Sequence, residues 1–109
     1  MERLFTYGSL QPGGSNEHVL SGIEGEWQLA TIRGILYAAG WGADIGYPGL
    51  MLNSEGDDVQ GQVFISSSLS AHWNELDEFE GEEYKRVLAD ITLSSGERVS
   101  AYVYVIRST

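Results

Sequence analysis

Apolar and polar residues alternate along this chain in short runs, and most of the runs have the period of a strand. Arg3 to Tyr7 (RLFTY) is a brief β-prone stretch ended by Gly8, which predicts a first strand. From Trp27 to Tyr37, the residues Trp27, Leu29 and Thr31 alternate with polar neighbours, and Gly34 predicts a bend or bulge before Ile35-Leu36-Tyr37. Gly49-Leu50-Met51-Leu52, just after Pro48, and Val59 to Ile65 predict two further strands. Between them, Asn53-Ser54-Glu55-Gly56-Asp57 has the chemistry of a turn. Val87, Ala89, Ile91 and Leu93 alternate again, and Ser94-Ser95-Gly96-Glu97 closes a hairpin. On the last strand Val99, Ala101, Val103 and Val105 share one face, with Tyr102 and Tyr104 on the other. Residues 38–46 (AAGWGADIG) read as a loop, and a short helical turn near Asn16 to Leu20 has Asn16 as its expected N-cap.

One segment breaks the two-residue rhythm. Leu69 to Glu80 repeats every three to four residues, follows Ser67 and Ser68 as candidate N-caps, and stops at Gly81, where a helix-ending glycine belongs. The pattern therefore predicts an α+β fold of about six strands with one main flanking helix. Closed sheets leave no exposed edges, so the expected architecture is a small mixed β-barrel. At 109 residues the chain suits a single domain, residues 1–109.

Composition narrows the partners. Sixteen acids face six Lys and Arg, for a net charge of −10. Such a chain cannot easily build the basic footprint that nucleic acid requires, and anionic membrane surfaces are disfavoured for the same reason. No apolar run approaches the roughly 20 residues that span a bilayer. There is no cysteine, hence no disulfide, thiolate nucleophile or Cys-based metal site. His18 and His72 stand far apart without metal-ligand spacing; a site made only of carboxylates is open to this composition, but no EF-hand pattern is present, and no metal is expected. The N-terminus turns polar and Gly-rich within its first ten residues, without the apolar stretch of a signal peptide. A cytoplasmic location is the expectation.

Candidate chemistry starts from the acidic run ELDEFEGEEYKR, residues 75–86. At about 100° per residue, with Leu69 as zero, Trp73 falls near 40°, Leu76 near −20° and Glu80 near 20°. Glu80 thus lies in the apolar stripe, while Glu75 and Glu78 point away and Asp77 flanks it. Two readings fit. The last helical turn frays and Glu80 swings into water, or Glu80 is a partly buried base. In the second case desolvation, the nearby charge of Asp77 and the negative helix end would raise its pKa, suiting it to general base and acid work. The other candidate is Tyr7-Gly8-Ser9-Leu10. Glycine admits close approach of a ligand, and successive N–H groups at a strand end can cradle a carboxylate or an oxyanion. The same residues also suit an ordinary turn.

Taken together, the two stretches are more specific. Phe5-x-Tyr7-Gly8-Ser9-Leu10 closing the first strand, then Leu76-Asp77-x-Phe79-Glu80-Gly81, Tyr84 and Arg86, resemble the γ-glutamylcyclotransferase-like family in its γ-glutamylamine cyclotransferase, AIG2-like branch. Tyr47-Pro48-Gly49, Gly61-Gln62-Val63-Phe64 and Ala101-Tyr102-Val103-Tyr104 extend the likeness across the chain. The resemblance implies a compact β-barrel. It also implies an enzyme in which the α-amino group of a γ-glutamyl compound attacks its own γ-carbonyl, releasing an amine and 5-oxoproline. It places general base and acid on Glu80 and the glutamyl-binding loop on Tyr7, Gly8, Ser9 and Leu10. It implies no cofactor, since the nucleophile belongs to the substrate. γ-Glutamylamines such as a glutamyl-lysine isopeptide come first as substrates, and γ-glutamyl amino acids second.

Tyr84 and Tyr104 are candidates to line the pocket, with a structural role on the strands as the alternative. Arg86 either pairs with its acidic neighbours or meets substrate. Trp41 is a lid, a wall of the site or a surface hydrophobe. The rival to an enzyme is a small-molecule binding module that keeps the barrel and pocket without turnover.

Overall fold

The computed structural model describes residues 2–8, 10–14, 16–37, 49–81 and 84–106. Six strands run in the order β1 (Glu2–Thr6), β2 (Glu26–Tyr37), β3 (Gly49–Leu52), β4 (Asp57–Ser66), β5 (Tyr84–Leu93) and β6 (Arg98–Ile106). Among the described residues two α-helices interrupt them, α1 (His18–Ser21) and α2 (Trp73–Glu80). Side by side the strands lie β3-β2-β4-β1-β6-β5, and β2 also pairs with β5. That last pairing closes β2, β4, β1, β6 and β5 into a barrel and leaves β3 as an extension of β2. The barrel is mixed, because β1 lies parallel to β6 while the remaining pairs are antiparallel. Closure rests on a narrow seam, Ala30 opposite Leu93 and Thr31 opposite Thr92.

Two-residue alternation sorts the side chains into two cores. Phe5, Val63, Val103 and Val105 point inward with Ile32, Leu50, Val59 and Ile91 and fill the barrel. Their sequence neighbours Leu4, Phe64 and Tyr104 point outward and join Leu10, Leu20, Leu69, Leu76 and Tyr84 in a second cluster beneath the helices. The strands in the middle of the wall are therefore apolar on both faces. Among the described residues, no helix is long and apolar enough to cross a membrane.

Three local expectations need correction. Gly34 makes no bulge: β2 continues through it, pairing with β4 up to Gly34 and with β3 from Gly34 to Tyr37. The glycine is there for closeness, since a Cβ at this position would lie 2.6 Å from the Met51 carbonyl oxygen. The predicted helix from Leu69 is divided into a 3-10 turn, Leu69–Ala71, and α2, which begins at Trp73. The 3-10 turn gets no side-chain cap from Ser68; instead the Ser66 hydroxyl accepts the Ser68 N–H at 3.0 Å and donates to the Glu24 carbonyl. Glu17, not Asn16, stands at the head of α1, again without a side-chain cap.

At the other end of α2 the expected stop is present. Gly81 adopts φ 83°, a left-handed value that glycine tolerates at low cost, and its N–H donates to the Asp77 carbonyl at 3.0 Å. The chain is thereby turned straight from Glu80 toward β5.

Candidate active site

The residue after β1, the end of α2, the start of β5 and the last third of β6 come together on one side of the barrel. Each contributes through a simple local rule. β1 stops after Thr6, so Tyr7 continues its inward alternation and packs against the barrel core. Leu76 is almost fully buried one turn before Glu80 and anchors that turn. Tyr84 and Tyr104 take outward positions on β5 and β6, which aim them beneath α2.

Glu80 is half-buried, whereas Asp77, Glu78 and Phe79 beside it are exposed. Among the described acids of the run, Glu75, Asp77, Glu78 and Glu80, the helical stripe thus selects Glu80. Burial pushes the Glu80 carboxyl up to about 7, because removing water penalises its charged form. Of the three influences considered from sequence, burial is the operative one. The fraying alternative is not what the structure holds.

Glu80 shares its surroundings with phenols. Burial holds the Tyr7 hydroxyl above its usual range, opposed by a hydrogen bond from the Leu50 N–H and reinforced by the nearby Tyr84 and Glu80. Tyr104 is raised as well, first by burial, then by its hydrogen bond to Asp77 and the charges of Asp77 and Glu80, with Arg86 opposing. Both phenols therefore stay protonated in neutral water.

The Tyr7 hydroxyl has structural work. It donates to the Tyr104 carbonyl at 2.7 Å and accepts the Leu50 N–H at 3.2 Å, joining β1 to β6 and β3. Tyr7→Phe would take a hydrogen-bond partner from two backbone groups and is expected to cost about 1–3 kcal/mol. Urea unfolding should show a lower midpoint at unchanged slope.

The remaining predicted residues divide as follows. The Gly8 carbonyl accepts from both the backbone N–H and the side-chain Nε2 of Gln11, each at 3.2 Å, which folds the loop back on itself. Leu10 is buried in the outer cluster. Among the described residues, neither the Gly8 nor the Leu10 amide donates to an acceptor of the fold. Ser9, Trp41 and Tyr47-Pro48 lie outside the described residues. Tyr84 and Tyr104, together with Asp77, Gly81, Lys85 and Arg86, line an open groove of about 570 Å³ beside the α2–β5 turn.

Arg86 pairs with Asp77 at 3.7 Å and lies 4.3 Å from the Trp73 ring and 5.4 Å from the Tyr102 ring. This is the acidic-neighbour pairing considered from sequence. Asp77 is the residue that sequence reasoning passed over, as a flanking solvating charge; its carboxylate accepts from the Tyr104 hydroxyl at 2.7 Å. The available signal was its spacing, one helical turn before Glu80 on the shoulder of the apolar stripe. Among the described residues no group of three or more His, Asp or Glu is placed to hold a metal ion.

Comparison with known proteins gives a consistent picture. The family described as "Gamma-glutamyl cyclotransferase, AIG2-like" matches residues 4–109. No curated protein matches. Among solved structures, YkqA from Bacillus subtilis is 27% identical with TM-score 0.74, covering 99% of this chain and 36% of that one. An aig2-like protein from Mus musculus is 23% identical with TM-score 0.76, covering 100% and 79% respectively. At3g28950.1 from Arabidopsis thaliana is 24% identical with TM-score 0.74, covering 96% and 61%. The chain thus spans about a third of the Bacillus protein and three fifths of the Arabidopsis one.

Proposed function

Because this chain belongs to the gamma-glutamyl cyclotransferase, AIG2-like family, we propose that it converts a γ-glutamyl amine or γ-glutamyl amino acid to 5-oxoproline and a free amine, with Glu80 moving the protons. The observation that carries this reading is the seat of Glu80: one acid of a long acidic run, half-buried and pushed up to about 7 by burial, beside two protonated phenols.

In the proposed reaction the substrate's α-ammonium gives a proton to the Glu80 carboxylate. The freed nitrogen attacks the γ-carbonyl carbon, and the C–N bond of the five-membered ring forms. Negative charge collects on the carbonyl oxygen. Amides of the Tyr7–Leu10 loop are suited to receive it, and such donors act most strongly where water is excluded. Glu80 then passes its proton to the nitrogen of the departing amine, and the old C–N bond breaks. The α-nitrogen loses two protons in all and the amine leaves as an ammonium carrying two more than it had as an amide. Glu80 transfers the first, and the second follows by the same carboxylate or by solvent.

A base whose pKa lies near the working pH balances its readiness to accept against its readiness to donate. Holding the glutamyl chain folded back on itself supplies the remaining advantage, since ring closure gains from a fixed geometry.

The test is 5-oxoproline release from a panel of γ-glutamyl amines and γ-glutamyl amino acids. Turnover of at least one is expected, and none would overturn the reading in favour of a binding module. The pH profile makes a further prediction. Glu80 must be ionised to accept a proton, so kcat/KM should rise about tenfold per pH unit below about 7 and level off above it. A profile flat from pH 5 to pH 8 would remove Glu80 from the role.

A further inference from the structure

We propose that Asp77 is a positioning residue for Glu80: by accepting the Tyr104 hydroxyl at 2.7 Å, it docks the last turn of α2 on β6 and holds Glu80 inward. The inference rests on the role for Glu80 proposed above. It begins with the weakness of α2, which has only eight residues. Helices this short do not hold themselves in water, and their ends fray. Something must pin the final turn, or Glu80 would reach solvent.

Among the described residues, Leu76 and Asp77 tie that turn to the barrel. Leu76 is buried in the outer cluster. Asp77 makes its tie although its side chain is 45% exposed. An exposed aspartate has no need of a phenol for solvation, so the bond acts on the helix and not on the acid. It is also aligned by its surroundings. Tyr104 is fixed at its backbone by the Tyr7 hydroxyl, which in turn is fixed by the Leu50 N–H. Arg86 holds the other carboxylate oxygen of Asp77 at 3.7 Å and is itself stacked on Trp73 and Tyr102. Trp73, the first residue of α2, donates its indole N–H to Glu2 of β1 at 3.0 Å. Both ends of α2 are therefore tied to the parallel pair β1–β6. The tie at the Glu80 end is Tyr104–Asp77.

Four variants separate position from charge and from substrate contact. Tyr104→Phe keeps the ring and removes only the donor. Asp77→Asn keeps an acceptor and removes the charge. Asp77→Ala removes both, and the Tyr104→Phe/Asp77→Ala pair removes the bond from both sides. Glu80 is coupled electrostatically to Tyr7, just after β1, and to Tyr104 on β6; Tyr104 is also coupled to Asp77 of α2 and Arg86 of β5, and Tyr7 to Tyr84 of β5. Both Asp77 variants change the local charge as well as the bond, so Tyr104→Phe, which changes no charge, is the decisive variant.

Positioning predicts that Tyr104→Phe and Asp77→Ala lower kcat by about tenfold, the ordinary worth of one such bond, with KM held. Asp77→Asn should retain most of the activity, and the double variant should be no worse than Asp77→Ala. NMR titration of the Glu80 carboxyl should show it falling from about 7 toward the usual carboxylate range in Tyr104→Phe. That titration needs no substrate, so it decides the positioning even if every γ-glutamyl compound goes untouched. Glu80 titrating in Tyr104→Phe as in the parent protein would overturn the proposal, as would a rise in KM alone, which would make Tyr104 a substrate ligand.

Discussion

Glu80→Gln is expected to cut 5-oxoproline release by about 10²- to 10⁴-fold and, at the same time, to make the protein more stable at pH 8. The first half follows from the mechanism. Glutamine keeps the size and one carbonyl oxygen of the side chain but cannot accept a proton from an ammonium group in this pH range. Substrate binding should survive, so the loss belongs in kcat. Turnover equal to the parent protein would end the catalytic role of Glu80.

The second half follows from linkage. An unfolded glutamate titrates near 4.3, whereas the folded carboxyl is pushed up to about 7. Between those values the native state binds the extra proton, so stability falls as pH rises through that window. Above about 7 the full penalty applies; below the unfolded value the carboxyl is protonated in both states and the penalty disappears. The gap corresponds to about 4 kcal/mol at full burial, and to less here, since a half-buried acid keeps some water. Glutamine carries no such penalty. Thermal melts should therefore show Glu80→Gln stabilised by about 1–3 kcal/mol at pH 8 and by almost nothing at pH 4. Opposite signs in activity and stability would mark a charge retained for chemistry at the expense of the fold.

The sequence carried the parts of this site that obey a period. Two-residue alternation put Val103 and Val105 inside and Tyr104 outside. The helical stripe picked Glu80 from a run of acids, and the break into a 3-10 turn did not disturb it, because Leu69, Trp73 and Leu76 still face the outer cluster. The strand content and barrel were legible for the same reason. What was not legible depends on distant parts of the chain. The parallel pairing of β1 with β6, and closure through only two residue pairs at β2–β5, leave no local mark. Neither does the hydroxyl of Tyr7 meeting a carbonyl 97 residues away. Asp77 was missed because a surface acid looks the same in sequence whether it is solvated or bonded to a phenol. Gly34 was misread because glycine marks both bulges and close approaches, and only the neighbouring strand tells which.

Gly61 shows the same ambiguity with a larger consequence. From sequence it is a landmark of the β4 stretch and nothing more. In the fold it faces the barrel core, opposite Ala30 on one side and next to the Thr6–Gln62 pair on the other. A Cβ at this position would lie 2.7 Å from the Phe5 ring and would also collide with the Thr6 carbonyl oxygen. Phe5 is 1% exposed and cannot turn away without opening the core. The carbonyl cannot turn away without breaking the β1–β4 ladder. Overpacking of a filled core commonly costs about 1–3 kcal/mol, and here a backbone group must move as well, so Gly61→Ala is expected to lose about 3 kcal/mol or more. For a chain of this size that is a fall of more than about 10 °C in Tm. Adding Phe5→Leu removes the ring but not the carbonyl, so the double variant should recover only part of the loss. Full recovery would show that Phe5 alone required the glycine, and an unchanged Tm in Gly61→Ala would refute the close approach. The displacement should also reach the site. Thr6 is followed by Tyr7 and Gly8, so pushing its carbonyl moves the loop against Glu80. Whatever Gly61→Ala protein remains folded should therefore turn over more slowly than its stability loss explains.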